Sequence, residues 1–507
     1  MSPSQHHPVY GAQSALAPPA PAGGPASPPN QHLQQYNIGS SVNVTSPPSY
    51  PSTNDRNLLS TQWNRAGRLA SKSCENLSNQ ISNRVSTITT YGIVKPTNLV
   101  TKKSVQALNQ TAALCDRISD KFDTVITSID GGVFSGDERD LYIYDDLSQT
   151  SISTSPPTGA VQDRKASNHR NANSDKGSNF FSKVWLYSNS RLPIHLPPFK
   201  IYMDTYRLLC LAANYSERAY EPASPSTAET HIPADWKSGT KAMVLKSLPI
   251  DDMNTIVFAI RGSQTFMDWA VNYRSEPSSP KGFLDDTGNA CHAGFLYVAR
   301  KMVKPVADRL RVLLQENPAR SNASLLITGH SAGGAVAALL FAHMMSLTIQ
   351  SDLNYLTGFF KRVHCITFGA PPVSLLPLKR SNDTQHRKSL FFSFINEGDP
   401  VPRADRDVVK SLLRLYSSPS PNLKSTTTSM PEYPIVPGSL SPAGRLVVLR
   451  NKPGSHTVDG EEIIEAVTVE DDMFRTVVYG DPMKHMMKLY RRRVEILATR
   501  AITGADW

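Results

Sequence analysis

The stretch SLLITGHSAGGAVAALLFAHMM, residues 324–345, has the residue types to mount a nucleophile. Its first five residues are an apolar run that favours a strand, and the Ala- and Leu-rich run at its end favours a helix. Between them, residues 329–333 read Gly-x-Ser-x-Gly. This pattern between a strand and a helix is typical of a sharp turn that exposes a nucleophilic serine. We therefore predict that Ser331 is a nucleophile.

The same stretch has the length and apolarity of a membrane-spanning segment. A span over 329–345 would place His330 and His343 in hydrocarbon, which is costly. The strand predicted before it also favours a folded domain. We therefore interpret this stretch as buried core.

A serine needs a base to take its proton and a carboxylate to orient that base. In proteins with this turn, the acid and then the histidine follow the serine along the chain. Asp399 comes just after the strand-like run 389–396, so we predict it as the acid. The rival acids, in polar loop or helix contexts, are Asp383, Asp405 and Asp407. Downstream of Asp399 lie His456, in a loop, and His485, before the last predicted helix, and spacing alone leaves both open.

Strand-like and helix-like runs alternate from residue 193 onward. The predicted strands are Lys241–Leu248, Thr255–Arg261, Ser324–Thr328, Arg362–Phe368, Ser389–Asn396 and Arg445–Asn451, with a further strand-like run at 474–478. The predicted helices are Ile201–Arg218, Ala293–Glu316, Ser331–Met345, Asp405–Tyr416 and Asp481–Thr499. This alternation predicts an α/β domain over 193–507, with a mostly parallel sheet covered on both faces.

Two other segments have the composition of unfolded chain. Residues 1–56 are rich in Pro, Ser, Gln, Asn and Gly and have few apolar side chains to bury, which predicts a disordered tail. Residues 131–192 contain a similar low-complexity stretch and are predicted to be a linker.

Residues 57–130 place apolar side chains at steps of three and four, which predicts amphipathic helices. The stretch from Arg56 to Lys103 is strongly basic, with eight basic residues against one acid, Glu75, which gives a charge of +7 out of the net +10. Such helices either lie on an anionic membrane surface or pack on the next domain with a solvated basic face, and the pattern leaves both open. No nucleic-acid-binding module is recognisable, so nucleic acid is not an expected partner.

The cysteine pattern and the first residues favour an intracellular location. The five cysteines are far apart and form no Cys-x-x-Cys pair, which argues against a disulfide framework and a structural zinc site. The N-terminus lacks the charged start and apolar run of a secretory signal. We expect a cytoplasmic or peripheral membrane protein without a transmembrane helix.

Five motifs, in order, resemble those of the class 3 (fungal-type) lipases, which are α/β-hydrolases, and especially those of intracellular diacylglycerol-lipase-like members. The motifs are VFAIRGSQTFMDWAVN at 257–272, HAGFLYVA at 292–299, ITGHSAGGAVAALLF at 327–341, ITFGAPPV at 366–373 and NEGDPVPR at 396–403. The resemblance covers about 195–500. It implies an α/β-hydrolase domain preceded by the disordered tail and the amphipathic helices.

The resemblance also implies roles for individual residues. The segment around His485, with an aromatic residue shortly after it, resembles the end of the family's domain, so His485 is the expected base and His456 the fallback. Ser263 is expected to form the oxyanion hole with the backbone N–H of Ala332. The lid over the site would come from 264–272. The sequence leaves open whether its apolar side chains, Phe266, Trp269 and Val271, face the core or the substrate; Phe266 and Trp269 are the candidates for a lid or substrate contact.

The implied activity is hydrolysis of acyl esters in glycerolipids, first among them mono- and diacylglycerols, through a Ser-Asp-His triad. No metal or cofactor is expected. The lipid substrate would be reached at an anionic membrane or lipid-droplet surface. The alternatives are phospholipase A-type or acyltransferase activity at the same site, and an inert lipase-like scaffold that acts through 57–130.

Overall fold

The computed structural model describes residues 98–504, with gaps at 145–176, 223–227, 233–242, 263–265, 268–269, 271–275, 287, 381–386, 422–429 and 455–461. The predictions for the tail 1–56 and for the basic helix within 57–97 lie outside the described residues.

An eight-stranded sheet and a separate two-stranded pair contain the described strands. In chain order these are β1 Ala228–Ile232, β2 Met243–Ile250, β3 Thr255–Gly262, β4 Pro277–Ser278, β5 Cys291–His292, β6 Ser324–His330, β7 Arg362–Phe368, β8 Phe391–Asn396, β9 Arg445–Asn451 and β10 Ile464–Val469. The order across the large sheet is β1-β2-β3-β6-β7-β8-β9-β10. Pairings from β3 through β9 are parallel, and β1, β2 and β10 add antiparallel edges. The predicted, mostly parallel sheet is confirmed.

Helices cover both faces of this sheet. They are α1 Asn98–Asp130, α2 Met203–Arg218, α3 Ala293–Glu316, α4 Ala332–Met344, α5 Asp352–Thr357, α6 Arg406–Ser417, α7 Asp471–Phe474 and α8 Met487–Thr503. In β6, Leu325 and Ile327 face the core beneath α3 and α4, whereas Leu326 faces the core beneath α2 and α8. A strand that is buried on both faces is therefore apolar throughout, which is why its sequence shows no alternation.

Helix α1 belongs to the core of the hydrolase domain. Its buried apolar side chains are Ile118, Phe122, Val125, Ile126 and Ile129. The Phe122 ring lies 5.1 Å from that of Phe266, 5.6 Å from that of Phe181 and 5.7 Å from that of Tyr416, between centroids. The end of the 57–130 segment that α1 contains is therefore packed on the hydrolase domain, which was one of the two arrangements that the sequence left open.

The structure differs from three further expectations. The linker predicted over 131–192 is packed at both ends, where Leu141 and Phe181 are buried in the core. The strand-like run 474–478 is not a strand, because α7 ends at Phe474 and the next residues form irregular chain. Val477 is nevertheless buried, and a buried apolar loop has the same local composition as a strand. Strands β1 and β10, at the two edges, were not predicted.

Candidate active site

Ser331 stands on a strained turn between β6 and α4. Its φ of 54° and ψ of −134° lie in a region that non-glycine residues rarely adopt. The turn is held in place because the N–H of Ser331 donates to the carbonyl of Phe368, at the end of β7, at 3.0 Å. The predicted sharp turn is present, and its serine lies at the carboxyl ends of the parallel strands.

The two glycines that flank the serine are required by close backbone contacts. A Cβ at Gly333 would lie 2.1 Å from the carbonyl oxygen of Ile260 in β3. A Cβ at Gly329 would lie 2.7 Å from the carbonyl oxygen of Gly333. Both distances are far below van der Waals contact, so the strand, turn and helix can approach one another only with glycine at these positions.

Asp399 lies just past the end of β8 and is fully buried. Its carboxylate accepts hydrogen bonds from the Val401 N–H at 2.9 Å and from the Tyr490 hydroxyl at 2.5 Å. It also accepts from His485 Nδ1, at 2.9 Å to Oδ2. Because a carboxylate can only accept, this contact assigns the Nδ1 proton of His485. The structure therefore brings the predicted acid to one of the two candidate histidines.

His485 ends a short 3-10 turn, residues 482–485, just before α8. The side-chain amide of Asn396, the last residue of β8, donates to the carbonyl of Lys484 at 2.9 Å. His330 Nε2 donates to the carbonyl of His485 itself at 2.7 Å. These bonds fix the backbone on both sides of the imidazole. The other candidate, His456, lies outside the described residues.

A second carboxylate, which the sequence reasoning did not find, lies between the serine and the histidine. Asp130, the last residue of α1, is buried, and its Oδ2 accepts from the Ser331 hydroxyl at 2.8 Å. Its Oδ1 is 3.2 Å from His485 Nε2. The Asp130 carboxylate thus bridges the hydroxyl and the imidazole. A sequence signal did exist: an acid at the end of an apolar helix face, followed by two glycines.

A comparison with known protein families identifies the part of the chain that carries Ser331 and Asp399. A family model described as "Lipase (class 3)" matches residues 257–408. These residues belong to the class 3 lipase family. Among curated proteins, none matches the chain.

Solved lipase structures are similar to the chain at low identity. A lipase from Rhizopus microsporus var. chinensis is 17% identical, with 58% of this chain and 92% of that chain covered and a TM-score of 0.34. A triacylglycerol lipase from Penicillium expansum is 14% identical, with 56% and 91% covered and a TM-score of 0.33. A lipase from Yarrowia lipolytica is 14% identical, with 58% and 96% covered and a TM-score of 0.34.

The family match gives the class of the enzyme, and the sheet order agrees with the fold of that class. The class 3 lipase domain has the α/β-hydrolase fold predicted from its motifs, and the protein is a carboxylic ester hydrolase. Within the described part of the chain, no helix has both the length and the apolarity needed to cross a bilayer.

Burial and charge give the two neighbouring histidines of this lipase opposite protonation states. Burial by itself lowers the pKa of His485, but the attraction of Asp399 and the hydrogen bond to Asp130 outweigh it and raise that pKa to about 10. Burial, and then repulsion from His485, lowers the pKa of His330 to about 4. At neutral pH the structure therefore contains a positively charged His485 beside a neutral His330.

Asp130, His330 and His485 each offer an atom that could bind a metal ion, and these three atoms lie within 4.8 Å of one another. Nevertheless, both nitrogens of His330 already have partners. Nε2 donates to the His485 carbonyl, so in the neutral ring Nδ1 is the acceptor for the Tyr220 hydroxyl, at 2.8 Å. We therefore interpret the three residues as a hydrogen-bonded acid–base group.

The structure places part of the predicted oxyanion hole and lid. Ala332 is the first residue of α4, so its N–H has no acceptor within the helix and is available beside Ser331. Ser263 and Trp269 lie outside the described residues. Phe266 is fully buried, and its ring lies against that of Phe122 of α1, so in this structure it faces the core; its assignment to the lid stays a prediction. An apolar residue in a lid and one in a core look the same in sequence.

Proposed function

We propose that the lipase hydrolyses acyl esters of glycerolipids, with mono- and diacylglycerols as its main substrates, through Ser331, His485 and Asp399. The observation that carries the catalytic roles is the geometry at the carboxyl ends of the strands. A strained serine and a histidine bonded to a buried carboxylate meet within one hydrogen-bonded cluster. Support for the glyceride class comes from the sequence resemblance.

In this mechanism His485 Nε2 takes the Ser331 proton while Oγ attacks the ester carbonyl. The negative charge on the tetrahedral intermediate is stabilised by the N–H of Ala332 and, as proposed from the motif, by Ser263. Nε2 then gives its proton to the leaving glycerol oxygen, and an acyl-serine forms. Water, deprotonated by the same nitrogen, attacks the acyl-serine and releases the fatty acid. Asp399 holds the imidazole and stabilises its positive charge.

A lipid panel on the full-length protein tests this proposal. Ser331→Ala and His485→Ala are each expected to lower the hydrolysis rate by about 10⁴-fold or more, since each removes a member of the triad. Ser182→Ala is the matched control for the serine and should retain activity, because Ser182 is exposed and its hydroxyl donates to the carbonyl of Asn179. His456→Ala is the control for the histidine and should also retain activity, since His485 is the proposed base.

The panel also separates the alternatives. Release of fatty acid from phospholipid but not from glyceride would replace our substrate class with phospholipase A-type activity. Transfer to an added alcohol in preference to water would indicate an acyltransferase. Equal rates for wild type and Ser331→Ala would rule the proposed nucleophile out.

We also propose that the basic stretch 57–90 contacts an anionic membrane or lipid-droplet surface. The proposal is confined to this stretch because the apolar face of α1 is used in the core. Deletion of 57–90 should therefore weaken binding to vesicles that contain phosphatidylserine and leave binding to neutral vesicles unchanged. Unchanged binding to the anionic vesicles would contradict this role.

A further inference from the structure

We propose that Asp130 is an autoinhibitory plug, with which α1 holds the enzyme in a latent state until its C-terminal end withdraws. This inference rests on the proposed function, since it concerns the same serine and histidine. Three features of the described residues carry it: the position of the carboxylate, its place at the end of a helix, and the contacts of α1 with the stretch next to the site.

The position of Asp130 is incompatible with catalysis. Its Oδ2 accepts the hydrogen bond of the Ser331 hydroxyl, and its Oδ1 accepts the hydrogen bond of His485 Nε2. The hydroxyl proton must pass to that nitrogen when the serine attacks. A carboxylate between the two atoms also fills space that the ester carbonyl needs. Furthermore, it favours the charged form of His485, which has no lone pair with which to accept a proton.

The end of a helix is an unfavourable place for a carboxylate, because the helix dipole puts partial negative charge there. Helix α1 has no basic residue in its last turn to compensate. The stabilisation of the Asp130 charge therefore depends on the hydroxyl of Ser331 and the imidazolium of His485. Loss of the hydrogen bond from either group would therefore destabilise the docked carboxylate. Gly131 and Gly132 follow directly, and Gly132 has a φ of 71°, so the chain can change direction here at little steric cost.

Helix α1 also holds Phe266 and Met267, which lie in the part of the chain after β3 that the structure describes. The Met267 N–H donates to Asp123 Oδ1 at 2.8 Å, and the Phe266 N–H donates to Thr127 Oγ1 at 3.0 Å. Thr127 and Asp123 lie on the same helix as the plug, about one and two turns before Asp130. Withdrawal of α1 would thus uncover the serine and release the neighbouring 266–267 segment in a single movement.

The latent state should be favoured at low pH. His485 faces Asp399 and Asp130, its ring lies 4.5 Å from that of neutral His330, and Tyr490 binds Asp399. Asp130 also faces Tyr220, which contacts the Arg261 guanidinium. Of these groups, His485 is the one whose proton the plug stabilises. With the plug in place its pKa is about 10, and without Asp130 that pKa falls. Opening therefore releases a proton from His485. The closed state is fully favoured at a pH below the pKa that His485 has in the open state. This preference is lost as the pH rises toward about 10, the pKa of His485 in the closed state.

The test is the rate at which a fluorophosphonate labels Ser331 in the full-length chain. In this reaction Oγ bonds to phosphorus, fluoride leaves, and the hydroxyl proton passes to His485. At pH 7, Asp130→Ala should be labelled at least about tenfold faster than wild type, because its histidine is free to act as a base. Asp120→Ala is the matched control: it removes an exposed carboxylate from the same helix and should label like wild type.

A pH series with Asp130→Asn gives a second readout, which also serves if the alanine variant fails to fold. Asparagine has the size of aspartate but no charge to favour the imidazolium. The labelling rate of wild type should rise with pH into the alkaline range. The midpoint of that rise should fall by at least about one pH unit in Asp130→Asn.

Two negative outcomes can be told apart. Labelling of Asp130→Ala at or below the wild-type rate, or an unchanged pH midpoint in Asp130→Asn, would overturn the plug and leave the triad intact. Failure of the probe to label Ser331 in wild type and in both Asp130 variants across the pH series would instead contradict the proposed function.

Discussion

The turn between β6 and α4 and the end of α1 meet at the same serine, but they are built in different ways. The turn is specified within a few residues, by the glycines at 329 and 333 and the strand and helix on either side. The contact with Asp130 joins residues 201 positions apart, and the contact of Asp130 with His485 joins residues 355 apart. The nucleophile is therefore positioned by residues close to it in sequence, whereas the proposed plug reaches it from a distant segment.

The largest expected effect comes from the local region. Gly333→Ala would place a Cβ 2.1 Å from the carbonyl oxygen of Ile260, so β3 and α4 would have to move apart. We expect the free energy of unfolding to fall by about 3 kcal/mol or more, measured by denaturant unfolding. Gly288→Ala is the control, since its Cβ would meet nothing closer than 3.8 Å. Equal stability of the two variants would show that the turn is less constrained than the contacts imply.

A smaller and more selective effect is expected from the distant region. Phe122→Ala removes the α1 side chain that packs on Phe181, Phe266 and Tyr416. Such a truncation costs about 3–5 kcal/mol when the cavity stays inside the core, but we expect a smaller loss here because α1 can detach from the sheet and remove the cavity. We expect local opening of α1, and hence faster fluorophosphonate labelling of Ser331 than in wild type.

The control for this variant is Thr124→Ala, which changes an exposed side chain two residues along α1. Hydrogen exchange would show whether the amides of 118–130 become exposed before those of β6 and β7. If α1 and the sheet lose protection together and the labelling rate does not change, the two form one cooperative unit. The end of α1 would then not open separately from the turn that carries Ser331.

Much of the hydrolase domain was predictable because its signals are local. Strands β7 and β9 and helix α3 have the predicted bounds, since a buried parallel strand is apolar throughout and an amphipathic helix repeats every three to four residues. The edge strands β1 and β10 were missed because they are less apolar and pair on one side. The run 474–478 misled the prediction because burial in a loop selects the same apolar residues as a strand.

The sequence by itself determined the strand, the sharp turn and the helix around Ser331, since each follows from residue spacing and from glycines that neighbouring backbone requires. It also named Asp399 and His485 as candidates. Only the tertiary structure decided that these two side chains meet, that Phe266 faces the core, and that Asp130 reaches the serine. The physical reason is that a carboxylate at the end of an amphipathic helix looks solvent-exposed until the helix is docked. Its burial beside a hydroxyl and an imidazole depends on the packing of Phe122 and its neighbours, which are distant in sequence.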